Sequence, residues 1–233
     1  MGAGGRRRLG KGATVVRYEK EARELIATCR KLEACGYFLG TWGNVSMRVD
    51  RGILLTPSRV EYSTMQPWDL VVIDKDGNVL EGNRNPTSEK EVHRRILNLR
   101  PDVGAVIHAH TENAMAVSTL DISAVPCLVE EMSQLLGGEI PLSRHYVPAE
   151  QHAVLGAAAA EVIGSGNALI LRNHGPVCCG RTLEEAFLTV QVAEKACAIF
   201  LKAAAVGRTI EIPQEYVRSE RHRFLYSYGK EKT

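Results

Sequence analysis

The sequence lacks the features that mark membrane and secreted proteins. Among its 233 residues no apolar run approaches the length of about 20 residues that a membrane-spanning helix needs. The N-terminus has no hydrophobic segment of the kind that directs secretion. Six cysteines are present, but none are paired in Cys-x-x-Cys spacing, so neither a disulfide framework nor a zinc knuckle is indicated. These absences predict a cytoplasmic protein with reduced thiols.

The charge balance argues against nucleic acid as a partner. The chain carries 29 Lys and Arg residues against 27 Asp and Glu residues, for a formal net charge of +2. A nucleic-acid-binding domain would be expected to carry a larger positive excess. A phosphorylated small molecule, in contrast, needs only a local cluster of hydrogen-bond donors.

The chain length and the absence of a linker predict one folded domain over residues 18–233. The segment before it, residues 1–17, is rich in glycine and contains Arg6, Arg7 and Arg8, so we expect a disordered basic tail. A role of this tail in binding anions or partners is the alternative interpretation.

Hydrophobic periodicity predicts helices and short strands that follow one another along the chain. Helices are predicted over Tyr18–Cys35, after Ser88, after His110, over Glu150–Ile163 and over Leu183–Ala205. Strands are predicted over Asn44–Val49, Gly52–Thr56, Leu70–Ile73, Val103–His110 and Ala168–Leu171. The first three strands would form antiparallel hairpins. The pattern therefore predicts an α/β chain in which helices cover both faces of a sheet of short strands.

The helix that follows Ser88 can be predicted in more detail. Ser88 and Glu91 have the spacing of a capping box. Val92, Ile96 and Leu99 would share the apolar face of this helix, and Pro101 would end it.

Three histidines lie at the ends of apolar runs. His108 and His110 close the run that begins at Val103, and His174 follows a second run that ends near Arg172. In an extended strand residues i and i+2 project to the same side, so both imidazoles of His-Ala-His can reach one ion. Three nitrogen ligands are expected of a catalytic zinc site. The alternative is that these are unrelated polar residues at strand ends. The remaining histidines are interpreted as ordinary surface or half-buried residues: His93, His145, His152 and His222.

Three loops are suited to bind an anion. The first, Gly40 to Ser46, combines two glycines with hydroxyl and amide donors. Thr56-Pro57-Ser58 ends a predicted strand, and Pro86-Thr87-Ser88 lies at the start of a predicted helix, where free N–H groups favour phosphate. Glu89 follows directly. It is a candidate acid/base if the fold brings it to the metal, and otherwise a carboxylate that compensates the helix dipole.

Taken together, these motifs resemble the class II aldolase/adducin family, most closely its fuculose-phosphate aldolase branch. The matching elements are Gly-Thr-Trp-Gly-Asn-Val-Ser, Leu-Thr-Pro-Ser, Pro-Thr-Ser-Glu, His-Ala-His and Asn-His-Gly, in the family's order between Gly40 and Gly175. The resemblance extends from Glu19 to Gly207. It implies a three-layer α/β/α sandwich with a central, mostly antiparallel sheet, assembled as a C4 homotetramer with active sites at subunit interfaces.

The resemblance also implies roles for individual residues. His108, His110 and His174 would hold Zn²⁺, with Mn²⁺ or Co²⁺ as alternatives, and Glu89 would be the acid/base near the metal. The phosphate of the substrate would be held by Gly43, Asn44, Ser58, Thr87 and Ser88. In the related epimerases an aspartate typically stands at the position of Glu89, so the glutamate favours carbon–carbon bond cleavage.

Three positions depart from the fuculose-phosphate pattern or extend it. Arg59 stands where that branch has a glycine, and it would either contact the phosphate or point to solvent. Glu131 stands where that branch has a catalytic tyrosine, which is similar to the methylthioribulose-1-phosphate dehydratases, but those lack an equivalent of Glu89. Tyr228 resembles the catalytic tyrosine of the C-terminal tail, and its alternative is a disordered aromatic tail.

The sequence therefore predicts a zinc-dependent aldolase that reversibly cleaves a ketose 1-phosphate to dihydroxyacetone phosphate and an aldehyde. Fuculose phosphate, a 5-deoxypentulose 1-phosphate and a methylthiopentulose 1-phosphate are the candidate substrates. A dehydratase, decarboxylase or 4-epimerase on the same scaffold is the first alternative. The second is a non-enzymatic interaction module like the adducin head, against which the complete set of His108, His110, His174 and Glu89 argues.

Overall fold

The computed structural model describes residues 16–228. Residues 1–15 of the predicted basic tail and Gly229, next to Tyr228, lie outside the described residues. At the predicted boundary of the tail, Val16–Tyr18 form a 3-10 turn, and Arg17 makes an ion pair with Asp50. Residues 16 and 17, which were placed in the predicted tail, are therefore part of a regular turn.

Six α-helices are present in the described part of the chain: α1 (Glu19–Ala34), α2 (Lys90–Leu99), α3 (Glu112–Ser118), α4 (His152–Ile163), α5 (Leu183–Ala204) and α6 (Gln214–Tyr226). No helix within residues 16–228 is both long enough and apolar enough to cross a membrane. The helices predicted from periodicity all form, although α3 ends before Leu120. Helix α6 was not predicted, because Val217 is its only buried residue and its sequence shows no apolar repeat.

The strands are β1 (Asn44–Val49), β2 (Gly52–Leu55), β3 (Val71–Ile73), β4 (Val79–Glu81), β5 (Ala105–His108), β6 (Ala124–Val125), β7 (Ile140–Pro141), β8 (Ala168–Ile170) and β9 (Pro176–Gly180). Seven of them form the central sheet in the order β4-β3-β2-β1-β5-β9-β8, and β6 pairs with β7 separately. Every neighbouring pair in the central sheet is antiparallel. Strands β4, β6, β7 and β9 were not predicted.

The two faces of the sheet bury different side chains. Along β5, Ala105 and Ile107 join one hydrophobic cluster, whereas Val106 between them joins the other. This is the alternation expected of a strand buried on both sides. Residues of α1, α3 and α5 belong to the first cluster, and residues of α2 and α4 belong to the second. The predicted α/β class, with a mostly antiparallel sheet between two layers of helices, is confirmed.

The predicted capping box at the start of α2 is wrong. The residue before α2 is Glu89, and no side chain caps the helix. The carboxylate of Glu91 instead makes an ion pair with Arg94. The predicted apolar face is also partly wrong, because Leu99 is 54% exposed and Leu97 takes its place in the core.

Candidate active site

Three imidazoles meet at one end of the central sheet. His108 is the last residue of β5, His110 follows it, and His174 lies in the turn between β8 and β9. Because β9 pairs with β5, this turn is brought beside the end of β5. The Nε2 atom of His108 lies 3.2 Å from that of His110 and 3.3 Å from that of His174. The predicted convergence of these three side chains is therefore present.

The spacing of these nitrogens fits one metal ion. Zinc bound at about 2.0–2.1 Å in a tetrahedral arrangement places two ligand nitrogens roughly 3.3 Å apart. The ring nitrogen Nδ1 of His108 lies 3.0 Å from the carbonyl oxygen of Pro176. A proton on Nδ1 that is donated to this oxygen leaves the lone pair of Nε2 free for a metal.

The histidines are held in the neutral form that a metal ligand needs. Burial lowers the pKa of His108 and of His174. Burial, followed by the charge that His108 carries when it is protonated, lowers the pKa of His110 to about 4. The donor set is therefore three neutral nitrogens, which would leave a bound divalent ion with its full positive charge.

Glu89 turns its carboxylate toward the histidines. Its Oε2 lies 3.4 Å from Nε2 of His108, and its Oε1 lies 3.3 Å from Nε2 of His174. The side-chain amide of Asn44 donates a hydrogen bond of 2.7 Å to Oε2. Burial opposes ionisation of Glu89, but the charge that His108 carries when it is protonated at acid pH and the hydrogen bond from Asn44 outweigh it and lower the pKa of this carboxyl group. A buried, ionised carboxylate thus borders the histidine cluster.

His93 is a residue whose position the sequence did not reveal. It was interpreted as an ordinary histidine, but it is fully buried, and its ring bonds to Asn44 and to Ser46. It follows Glu89 by four residues, which places both side chains on one face of the helix start. That spacing is the signal that could have linked His93 to the site.

A polar cleft of about 920 Å³ opens from the histidines and Glu89. The five residues that were predicted to bind phosphate all line it: Gly43, Asn44, Ser58, Thr87 and Ser88. Two of the predicted anion loops are bonded to each other, because the backbone N–H of Thr87 donates to the carbonyl of Thr56 at 3.0 Å. The hydroxyl of Ser58 donates to the carbonyl of Pro86 at 2.9 Å. These hydroxyl-bearing residues therefore share one wall of the cleft.

The glycine-rich loop is fixed by its own packing. Gly43 has a φ of 113°, and a side chain there would collide with the ring of Phe38, from which a Cβ would lie 2.4 Å away. The hydroxyl of Tyr62, a buried residue that packs on Phe38, donates to the carbonyl of Gly43 at 2.6 Å. The position requires glycine because only glycine tolerates both the backbone angle and the close approach.

Two further side chains, one charged and one aromatic, line the cleft. Arg59 is exposed at the cleft and has a φ of 59°, a backbone conformation that arginine rarely adopts. Trp42 is 63% exposed, lines the cleft, and its ring lies nearly parallel to that of His110 at 6.3 Å. One wall thus adds positive charge, and the region near the histidines adds an aromatic surface.

Glu131 and Tyr228, the other two predicted catalytic residues, lie elsewhere in the chain. Within residues 16–228 neither side chain lines this cleft. Glu131 makes an ion pair with Lys195, and the ring of Tyr228 packs under the guanidinium of Arg223. The fold of a single chain therefore joins three histidines, Glu89 and the five phosphate candidates, but not these two.

Comparisons with known proteins show the family to which the chain belongs. The family model of the class II aldolase and adducin N-terminal domain matches residues 23–201. An L-fuculose phosphate aldolase of Methanocaldococcus jannaschii is 33% identical over 182 residues, which cover 78% of this chain and 96% of that protein. A 5-methylthioribulose-1-phosphate/5-deoxyribulose-1-phosphate aldolase of Escherichia coli is 30% identical over 196 residues, which cover 84% and 90%. A solved structure of L-fuculose 1-phosphate aldolase has a TM-score of 0.82 at 28% identity and covers 88% of this chain and 96% of that one.

Proposed function

The chain belongs to the class II aldolase and adducin family, and from that premise we propose that it is a zinc-dependent aldolase acting on a ketose 1-phosphate. The reaction would reversibly give dihydroxyacetone phosphate and an aldehyde. The observation that carries this proposal is the meeting of the His108, His110 and His174 cluster with Glu89 at the end of one polar cleft.

His108, His110 and His174 would hold the metal, for which Zn²⁺ is proposed and Mn²⁺ or Co²⁺ are alternatives. Three imidazoles suit all three ions, so the donor set does not choose among them. When bound, the ion supplies Lewis acidity where negative charge develops during cleavage. Burial supports this role because it excludes the water that would screen that charge.

The phosphate of the substrate would lie along the opposite wall of the cleft. Gly43 and Ser88 would bind it through backbone N–H groups, and Thr87 and Ser88 would bind it through their hydroxyl groups. Ser58 donates its hydroxyl to Pro86 and its N–H to Asn85 in this structure, so it would bind phosphate by exchanging one of these bonds. Asn44 would contribute one N–H only, because the structure already commits its side chain to Glu89 and His93. Arg59 would add charge at the outer edge of this wall.

Glu89 would carry the proton to and from C3 of dihydroxyacetone phosphate. Its lowered pKa makes it a carboxylate in the resting enzyme, ready to accept that proton. Glu131 or Tyr228 would handle the proton of the C4 hydroxyl group. Because neither lines the cleft of its own chain, one of them would have to reach it from a neighbouring subunit of a homotetramer.

The substrate would be a sugar phosphate with an apolar end. The names of the two relatives include fuculose phosphate, 5-deoxyribulose 1-phosphate and 5-methylthioribulose 1-phosphate. Each of these ends in a methyl or methylthio group, and the exposed ring of Trp42 beside His110 offers such a group an apolar contact.

We place the reaction in the cytoplasm, in keeping with six free cysteines.

A substrate screen tests the proposal. Purified protein with its metal content measured would be offered fuculose 1-phosphate, 5-deoxyribulose 1-phosphate and 5-methylthioribulose 1-phosphate. Dihydroxyacetone phosphate would be detected by a coupled dehydrogenase, and the second product by mass. Release of water or carbon dioxide, or a change of configuration at C4, without dihydroxyacetone phosphate would replace the aldolase with a dehydratase, decarboxylase or epimerase. A metal-free protein without turnover on any of these would favour the interaction module.

A further inference from the structure

A chain of buried hydrogen bonds runs from the core to Glu89. The hydroxyl of Ser46 and Nδ1 of the His93 ring lie 2.7 Å apart. The Nε2 atom of the same ring bonds to the amide oxygen of Asn44. The amide nitrogen of Asn44 in turn donates to Glu89. His93 and Ser46 are fully buried, and Asn44 and Glu89 are 5% and 7% exposed.

The carboxylate of Glu89 determines which group donates and which accepts in each of these hydrogen bonds. An ionised carboxylate only accepts hydrogen bonds, so Asn44 must present its amide N–H to Glu89. The amide oxygen of Asn44 then faces His93, which must donate from Nε2. A neutral ring that is protonated at Nε2 has its lone pair on Nδ1, so Ser46 donates to it. Burial lowers the pKa of His93 to about 3, so the ring stays neutral.

The spacing of side chains along α2 matches the spacing along β1, which allows this series of hydrogen bonds to form. Glu89 and His93 are four residues apart at the start of α2, which is about 6 Å along a helix. Asn44 and Ser46 are two residues apart on the same side of β1, which is about 6.6 Å along a strand. Two side chains of the helix therefore face two side chains of the strand at nearly equal intervals.

We propose that His93 is a positioning residue that fixes the amide of Asn44, and through it the carboxylate of Glu89. Held by His93, the amide cannot turn its oxygen toward Glu89, where it would repel the carboxylate. Its second N–H stays available on the cleft side, where Asn44 lines the cavity. His93 does not itself line the cleft, and its ring bonds to Asn44, which does. The effect on turnover rests on the proposed function, whereas the bonding pattern does not.

Substitutions at His93 separate positioning from packing. The amide nitrogen of glutamine can take the place of Nε2, whereas that of asparagine reaches only as far as Nδ1. We therefore expect His93→Gln to keep kcat within about fivefold, while His93→Asn lowers it by about 10- to 100-fold, the usual effect of groups that orient an active site. KM should change less than kcat in either variant, since Gly43, Ser58, Thr87 and Ser88 are unaltered.

A double-mutant cycle shows whether His93 acts through Asn44. If it does, His93→Asn should lower kcat by no more than about twofold in an Asn44→Ala background, because the effects of coupled residues are not additive. If the effects of the two substitutions on kcat instead multiply, His93 only supports the core, and the proposal is overturned. Equal losses in His93→Gln and His93→Asn would overturn it too.

Nitrogen NMR of histidine-labelled protein provides a test that needs no activity. The wild-type spectrum should show His93 as the neutral tautomer protonated at Nε2, and Ser46→Ala should retain that tautomer because Asn44 sets it. A ring protonated at Nδ1 would overturn the proposal even in a fully active enzyme. If the wild type has no aldolase activity but shows the expected tautomer, the proposed function fails and the bonding pattern stands.

Discussion

The ammonium group of Lys195 lies 2.7 Å from a carboxylate oxygen of Glu131. This bond, followed by one to the backbone, lowers the pKa of Glu131, so the group is ionised at neutral pH. The pair lies in solvent, with side-chain exposures of 56% and 46%. Such a pair contributes little to stability, about 0–1 kcal/mol, and can open at low cost. Glu131 is thus a charged, releasable carboxylate rather than a buried structural one.

The first prediction concerns the role of Glu131 at C4. If Glu131 carries the proton of the C4 hydroxyl, Glu131→Ala should lower kcat for cleavage strongly and leave KM nearly unchanged, because the contact acts in the transition state. Exchange of the C3 proton of dihydroxyacetone phosphate with solvent should survive. Lys195→Met is the matched control, since it removes the partner and keeps the carboxylate. Loss of cleavage and exchange together in Glu131→Ala would contradict the proposed division of labour.

The site could be predicted largely because its parts are local in sequence. His-Ala-His uses the two-residue alternation of a strand, and the anion loops are recognisable from glycine, hydroxyl residues and proline within a few positions. The motifs do not show which residues of one segment lie opposite which residues of another. The pairing of β1 with β5 sets Asn44 opposite His108, and these two residues are 64 positions apart in the sequence.

The parts that were missed depend on tertiary contacts. The four-residue spacing puts His93 on the same helix face as Glu89, but only the contacts between α2 and β1 give it its partners Asn44 and Ser46. Ser88 and Glu91 have capping-box spacing, but the carboxylate of Glu91 pairs with Arg94, and α2 begins at Lys90 after Glu89 rather than after Ser88. Sequence likewise cannot say whether Glu131 reaches a cleft of its own chain or that of a neighbour.

The second prediction concerns the metal. Purified protein should contain close to one divalent ion per chain, and His108→Ala/His110→Ala should lose it, because one remaining imidazole cannot hold the ion. His145→Ala/His152→Ala removes two exposed histidines and should retain the metal. Elemental analysis of both double variants checks this. Full metal content in the first variant would show that the ion binds elsewhere.

The third prediction concerns Glu89 as acid/base. Glu89→Gln keeps an oxygen for the hydrogen bond from Asn44, so the fold should be unchanged, but it cannot accept a proton. We expect kcat to fall by roughly 10²-fold or more, and exchange of the C3 proton to fall with it. Glu91→Gln, which alters a carboxylate in the first turn of the same helix, should leave kcat nearly unchanged. Near-normal turnover in Glu89→Gln would reduce Glu89 to a structural carboxylate.

The fourth prediction concerns Glu194, which anchors the start of α3. Its carboxylate accepts hydrogen bonds from the backbone N–H groups of Asn113 and Ala114, at 2.9 and 3.0 Å. Glu194→Ala leaves these donors without their partner, at a cost of about 1–3 kcal/mol in the free energy of unfolding. The Tm should fall by several degrees, whereas the exposed Glu184→Ala should barely change it. An unchanged Tm in Glu194→Ala would mean that water replaces the carboxylate.

The last prediction separates two properties of Arg59, its guanidinium and its left-handed backbone. The φ of 59° costs a residue with a side chain roughly 1 kcal/mol, which glycine avoids. Arg59→Ala removes the charge and keeps the strained backbone, whereas Arg59→Gly removes both. If the guanidinium binds the phosphate, both variants should raise KM by roughly 10-fold, as expected for a hydrogen bond to a charged group. The Tm of Arg59→Gly should be higher than the Tm of Arg59→Ala, because glycine relieves the backbone strain.

Steady-state kinetics and thermal unfolding of both variants, at one protein concentration, give the answer. A higher Tm in Arg59→Gly with unchanged KM in both would show that Arg59 points to solvent and that its backbone is merely strained. A raised KM in both would explain why arginine is kept at a position where glycine is more stable, because strain at a binding site is tolerated when the side chain is needed there. A raised KM in Arg59→Gly alone would instead assign the effect to loop flexibility, since that variant adds backbone freedom, and the proposed contact with phosphate would be withdrawn.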